Sequence, residues 1–179
     1  VEGGAFPSDQ YAVKSQADFH GFDPDDAIVE VEPRQGEDVV RQEDILAAIE
    51  EHGDELALTL FTGVHYYTGQ AFDLKAITEA AHDVGARAGF DLAHAVGNVP
   101  LELHDSGADF AVWCHYKYMN AGPGAVGGYF VHERHADADD LPRFEGWWGN
   151  DTDTRFDMKP DFEPQHRAGA WQLSNAPVI

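Results

Sequence analysis

The sequence predicts an α/β domain built on a mainly parallel sheet with helices on both faces. Three observations predict it. Short apolar runs recur up to residue 133. They alternate with segments whose apolar residues follow helical spacing. The connections between them are brief and marked by glycine, as in a strand–helix–strand repeat.

The elements are read in order. DAIVEV at 26–31 alternates and is rich in β-branched residues, which predicts a strand. QEDILAAIEEH at 42–52 places Ile45, Leu46, Ala48 and Ile49 at helical spacing among acids, with Gly53 as the stop. LALTLF at 56–61 is a buried strand bounded by Thr62–Gly63. FDLKAITEAAHDVGA at 72–86 is a second amphipathic helix, carrying Leu74, Ile77, Ala80, Ala81 and Val84 on one face and ending at Gly85. RAGFDLA follows closely as the next strand, and LELHDSG at 101–107 is a short helix or turn. ADFAVWCHY at 108–116 and AVGGYFVHE at 125–133 are further strands, the last a candidate hairpin partner of the one before. Beyond residue 134 the pattern loosens into acidic loops that hold Trp147, Trp148 and Trp171. No internal repeat or low-complexity linker is visible, so the chain reads as one domain or part of one. The openings VEGGAFPSDQ and the apolar close LSNAPVI suggest a segment of a longer protein, without a signal peptide.

Composition bounds the function. Of 179 residues, 43% are hydrophobic, which fits a folded domain. No run approaches the roughly 18 apolar residues of a membrane span. There are 33 acidic against 11 basic residues, a formal charge of −22. Such a surface repels nucleic acid and anionic membranes. The acids are scattered, so they form a self-repelling surface that salt screens, as expected for a cytoplasmic protein of a high-salt organism. The single cysteine, Cys114, excludes an internal disulfide and a multi-cysteine zinc site. It lies in FAVWCHYK and reads as an inert core thiol.

Two polar residues stand where ligands bind in such sheets, outside the carboxyl ends of strands. Lys117 follows an apolar strand, where desolvation favours a neutral, nucleophilic amine; from position alone a lysine whose amine reaches back to water is the more common case. Asp91, between Phe90 and Leu92, can cap the next helix or serve as counter-ion to a buried cation. A lysine and a carboxylate are what pyridoxal phosphate requires, one for the Schiff base and one for the pyridinium nitrogen.

The run FDLAHAVGNVPLELHDSGADFAVWCHYKYMNAGPG around these residues resembles the core of the kynureninases, pyridoxal-phosphate enzymes of the aspartate-aminotransferase-like fold (fold type I). FPSDQYAVKSQ at 6–16, FTGVHYYTGQAFDL at 61–74, EGWWGNDTDTRFDM at 145–158 and WQLSNAPVI at 171–179 resemble further blocks of that family in the same order. The resemblance implies that residues 1–179 form part of the cofactor-binding large domain, with a phosphate-binding segment upstream and a small domain downstream. It implies Lys117 as the Schiff-base lysine and Asp91 as the partner of the ring nitrogen. Phe6 would stack on the ring and Asp9 would line the pocket. His94, Thr62 and Tyr116 would contact the cofactor or its phosphate. Trp147 and Asn175 would line the cofactor and substrate region, reaching toward a neighbouring subunit. Tyr67 is a further candidate for phosphate contact or proton transfer. The implied reaction is hydrolysis of L-kynurenine, or 3-hydroxykynurenine, to anthranilate or its 3-hydroxy form and L-alanine, by a cytoplasmic homodimer. The family commonly has histidine where this chain has Asn150, so that position could alter substrate preference.

Other patterns are weaker. His132–Glu133–Arg134–His135 lacks metal-site spacing and reads as a charged loop. DTDTRFD begins like a calcium loop, but Phe156 and Phe162 occupy the positions that need Gly and Glu. No GxGxxG follows a strand, and GPGAVGG at 122–128 reads as a tight turn. The rival readings are a related pyridoxal-phosphate desulfurase or aminotransferase, or a non-catalytic scaffold of the same fold. A desulfurase would have to use Cys114.

Overall fold

A computed structural model describes residues 1–136, 138 and 141–176. Helices α1 (Pro7–Phe19), α2 (Pro24–Ala27) and α3 (Gln42–Glu51) precede strand β1 (Leu58–Thr62). Helix α4 (Leu74–Asp83) leads to β2 (Arg87–Asp91), β3 (Phe110–Trp113) and β4 (Gly128–Val131). The sheet order is β1-β2-β3-β4. β1, β2 and β3 run parallel, and β4 pairs antiparallel with β3. The expected α/β architecture and the closing hairpin are both present.

Alternation along the strands decides which face holds the core. Thr59, Phe61, Ala88, Phe90 and Ala111 point to one side and are buried. Helices α3 and α4 cover that side with Ile45, Ile49, Ile77 and Ala81. Ile45, Ile77, Phe90 and Leu92 are fully enclosed, and each such burial stabilises the fold by about 2 kcal/mol. Local chemistry sets the helix ends. The Asp73 side chain accepts the Ala76 amide at 3.0 Å to start α4. Gly85, at φ +83°, turns the chain out of it. On the opposite side of the sheet, at its carboxyl end, Asp9, Gln10 and Val13 of α1 share a crevice with Leu60, Thr62 and Asp91. Leu58 and Val112 remain exposed on the strands. On β2 the Phe110 ring lies where a side chain of residue 89 would stand, so Gly89 has to be glycine: a Cβ there would come within 2.2 Å of it.

Two expectations need correction. Residues 26–31 are not a strand. Asp23 caps a helical turn at Pro24–Ala27 by accepting the Asp25 amide at 3.0 Å. Only Val31 pairs, in an isolated parallel bridge to Glu2. The block at 6–16, which carried no expected element, is helix α1, with Pro7 in its first turn.

The amino ends of the strands are fastened by a buried carboxylate. Asp109, just before β3, is 2% exposed. It accepts the Ala88 amide at 2.7 Å and approaches His82 Nε2 at 2.8 Å and His135 Nε2 at 2.6 Å. Arg134 donates to it at 3.1 Å. The segment 132–135 is therefore not a solvated charged loop: His132 and His135 are buried and hold the exit of β4 against the sheet.

Candidate active site

The parallel register brings the site together at the other end of the strands. Thr62 ends β1 opposite Asp91, which ends β2 opposite Val112 of β3. Asp91 Oδ1 accepts the Ala93 amide at 2.7 Å, starting the turn that presents His94. One Asp91 oxygen thus caps a turn rather than the expected helix, and the side chain stays half-buried at the strand end. The loop after β3 returns Lys117 to the same place, and its Nζ donates to His94 Nε2 at 2.8 Å. Burial, and then the neighbouring Lys117 charge, hold the His94 imidazole below its ordinary pKa. A neutral ring with a free lone pair suits an acceptor for the lysine amine.

Helix α1 supplies the remaining groups. Phe6 stands at its amino end with its ring centroid 5.6 Å from Lys117 Nζ. Tyr66 meets that ring edge-on at 5.2 Å. His65 fixes this segment: Nε2 donates to the Gly4 carbonyl at 3.1 Å, while Nδ1 accepts the Tyr67 and Thr68 amides at 3.3 and 3.2 Å. Asp9, in the first turn of α1, lies with its carboxyl against that of Asp91. Burial first, and then that contact, push the Asp9 carboxyl up to about 7. Two carboxyls pressed together in this way favour a shared proton, and Asp9 is the one whose affinity for it is raised.

Of the residues singled out in the sequence, Phe6, Asp9, Thr62, Asp91, His94 and Lys117 converge. Tyr116 is adjacent but 55% exposed, and its hydroxyl bonds to the partly exposed Cys114, so that thiol is not a core residue. The chain does not bring Trp147 or Asn175 to this group. Trp147 packs on Trp148 and Phe156 and donates to the Arg155 carbonyl at 3.0 Å. Asn175 is exposed beside Ser174. Asn150 is buried, and its Oδ1 accepts the Asp151 and Glu163 amides at 3.1 and 2.8 Å, so the side chain is engaged within its own loop. Tyr67 is 83% exposed. Two residues escaped sequence reasoning. His65 sits in a block that was noted for its tyrosines. Glu2 is a buried acid whose only visible signal is its place in an otherwise small, apolar run.

The donor set fits pyridoxal phosphate. An amine, an aromatic face and an anionic carboxylate surround one space. Asp9 Oδ2 and Thr62 Oγ1 are buried there without a hydrogen-bond partner among the described residues, as expected where a polar ligand completes the site. For the phosphate, the chain offers the hydroxyls of Thr62 and Tyr116.

The chain is similar to known proteins along its whole length. A kynureninase of Myxococcus xanthus is 64% identical over all 179 residues, and the chain spans 42% of its length. A kynureninase of Nematostella vectensis is 60% identical over the whole chain, which covers 38% of it. Among solved structures, a cystine C-S lyase superposes with a TM-score of 0.71 over 98% of this chain and 44% of that one, at 17% identity. A cysteine desulfurase of Thermococcus onnurineus gives 0.66 over 94% of this chain and 38% of that one, at 18% identity. These two share the fold. The aminotransferase class-V profile matches residues 25–138, a stretch that holds the Asp91–His94–Lys117 cluster, and the chain belongs to the aminotransferase class-V family.

Proposed function

We propose that the protein is a kynureninase: with pyridoxal phosphate it hydrolyses L-kynurenine, or its 3-hydroxy form, to the corresponding anthranilate and L-alanine. The observation that carries the reading is the meeting of Lys117, His94, Asp91 and Asp9 in one half-buried space, within a chain 64% identical to a kynureninase.

The bound cofactor supplies a covalent anchor for the substrate amine and an electron sink for its Cα. Lys117 holds the cofactor when substrate is absent. Once displaced, its amine is the base that moves the proton at Cα. His94, neutral and 2.8 Å away, accepts a hydrogen bond from that amine and keeps it turned into the site. Asp91 holds a proton at the ring nitrogen through its negative charge, and Asp9 keeps that charge localised by carrying the shared proton. Phe6 covers the ring face and excludes water. Thr62 offers its unpartnered hydroxyl to the phosphate or ring. We further infer a cytoplasmic homodimer in which Trp147 and Asn175 reach a neighbouring subunit's site, which accounts for their distance from Lys117 here. Among the described residues no helix is long and apolar enough to cross a membrane.

The test uses the protein extended to the length of its relatives. A visible band that disappears on borohydride reduction, followed by anthranilate fluorescence when kynurenine is added, is expected. Absence of the band overturns the cofactor assignment. A band without anthranilate overturns the substrate. The desulfurase reading is not favoured, because the highly identical relatives are kynureninases.

A further inference from the structure

Glu2 is 1% exposed, and the chemistry above makes no use of it. Its backbone is fixed by the bridge to Val31, with the Gly3 amide on the Val31 carbonyl at 2.8 Å and the Val31 amide on the Val1 carbonyl at 2.9 Å. Its side chain turns into the crevice that Thr62, Asp9 and Asp91 also line. Glu2 Oε2 accepts the Thr62 amide at 3.3 Å. The Thr62 hydroxyl lies beside the same carboxyl without completing a hydrogen bond, and Glu2 Oε1 has no partner among the described residues. Three carboxyls thus stand in a row, Glu2, Asp9 and Asp91. The titratable group that faces Glu2 is Asp9. The nearby Lys117 acts on Asp9 and His94 instead. A buried carboxylate held only by its own backbone amide and a long Thr62 amide contact would be poorly compensated, whereas a carboxylic acid there needs far less.

We propose that Glu2 is a positioning residue of this site, an uncharged carboxyl that fixes Thr62 and stands behind Asp9, so that the negative charge of the row rests on Asp91. This rests on the pyridoxal-phosphate reading above. Burial holds the Glu2 carboxyl above its ordinary range, in keeping with the geometry. An ionised Glu2 would offer the site a second anion away from the ring nitrogen. As a neutral group it leaves Asp91 alone to set the protonation of the ring, while its carbonyl oxygen anchors the Thr62 amide. Because Thr62 is the strand-end neighbour of Asp91 in the sheet register, fixing one also fixes the space beside the other.

The experiment compares Glu2→Gln and Glu2→Ala in the protein extended to the length of its relatives, titrated with pyridoxal phosphate and followed by the visible band. Glu2→Ala strands the Thr62 amide and is expected to weaken cofactor capture about tenfold, and Glu2→Gln should recover most of that loss. A glutamine as damaging as the alanine, or a harmless alanine, overturns the proposal. A second readout does not depend on the alanine variant folding. The infrared carbonyl stretch of protonated carboxylic acids at neutral pH should lose intensity in cofactor-free Glu2→Gln relative to wild type. An unchanged band would show Glu2 ionised and overturn the proposal. A wild type that forms no visible band would instead overturn the cofactor assignment, while the infrared comparison still decides the state of Glu2.

Discussion

Replacing Asp109 by asparagine keeps the side chain's size and removes its charge, which isolates what the carboxylate does at the amino end of the sheet. Its two oxygens receive four donors: the Ala88 amide at 2.7 Å, His82 at 2.8 Å, His135 at 2.6 Å and Arg134 at 3.1 Å. Burial alone would raise its pKa. The amide and the two histidines outweigh it and hold the carboxyl down at about 2, from an ordinary 3.8. That displacement corresponds to about 2 kcal/mol of stability at neutral pH. Asparagine also turns an NH2 group toward donors, so the total cost is about 3 kcal/mol, the lower end for breaking a buried ion pair. Because the folded pKa is depressed, the stabilisation is complete above 3.8 and is lost as pH falls toward 2. Denaturant unfolding of wild type and Asp109→Asn at several pH values measures this. The gap should be about 3 kcal/mol at pH 7 and should narrow as the solution is acidified below pH 4. Equal stabilities at pH 7, or a gap indifferent to acid, would refute the reasoning. The visible cofactor band of the folded variant should survive, since Asp109 and Lys117 lie at opposite ends of β3.

Lys117→Arg keeps the positive charge but cannot form the covalent link, so the borohydride-sensitive band should vanish and turnover should fall by at least about a hundredfold, as loss of a general base alone would give. Asp9 has its carboxyl raised from 3.8 to about 7, so its contribution to stability is present below 3.8 and is lost as pH rises through 7. Asp9→Asn should flatten the stability of the cofactor-free protein across that interval, as read by thermal melts; an unchanged slope would place the shared proton elsewhere. With a net charge of −22, unfolding should require more denaturant as KCl is raised, and stability that falls with salt would remove the high-salt interpretation of the surface.

How much of the fold the sequence discloses depends on how much each element owes to its own residues. Helix α4 has its cap, its apolar stripe and its terminating glycine within fifteen positions, and it appears where periodicity places it. β1 to β3 are apolar runs of strand length and are found within two or three residues of expectation. Residues 26–31 mislead because β-branched alternation describes what a segment could pair as, while pairing needs a neighbour. Glu2 meets only Val31, and the Asp23–Pro24 pair claims the preceding residues for a helical turn. Helix α1 escapes notice for the complementary reason. None of its residues is buried, so it has no clear apolar stripe, and its Pro7 start is a weak local signal beside a polar body.

The site divides along the same line. Lys117 and Asp91 are legible because strand ends announce themselves, and Asp9, Phe6 and His94 became visible only through resemblance of whole blocks. Their protonation states were not legible at all. That the Asp9 carboxyl is raised follows from burial and from a helix laying it on that of Asp91, a contact between residues 82 positions apart. The same holds at the far end of the strands, where a histidine-rich segment that looks solvated in sequence closes over Asp109. One sheet thus places acids in two opposite electrostatic settings. Four donors converge on Asp109 and hold its charge at neutral pH. At the carboxyl ends acids outnumber donors, so they must share protons, and a cationic ring has something to complete. The second setting is the costlier for the bare fold, with buried oxygens on Glu2, Asp9 and Thr62 left unpartnered among the described residues, and an unsatisfied cluster of this kind is retained where a ligand satisfies it.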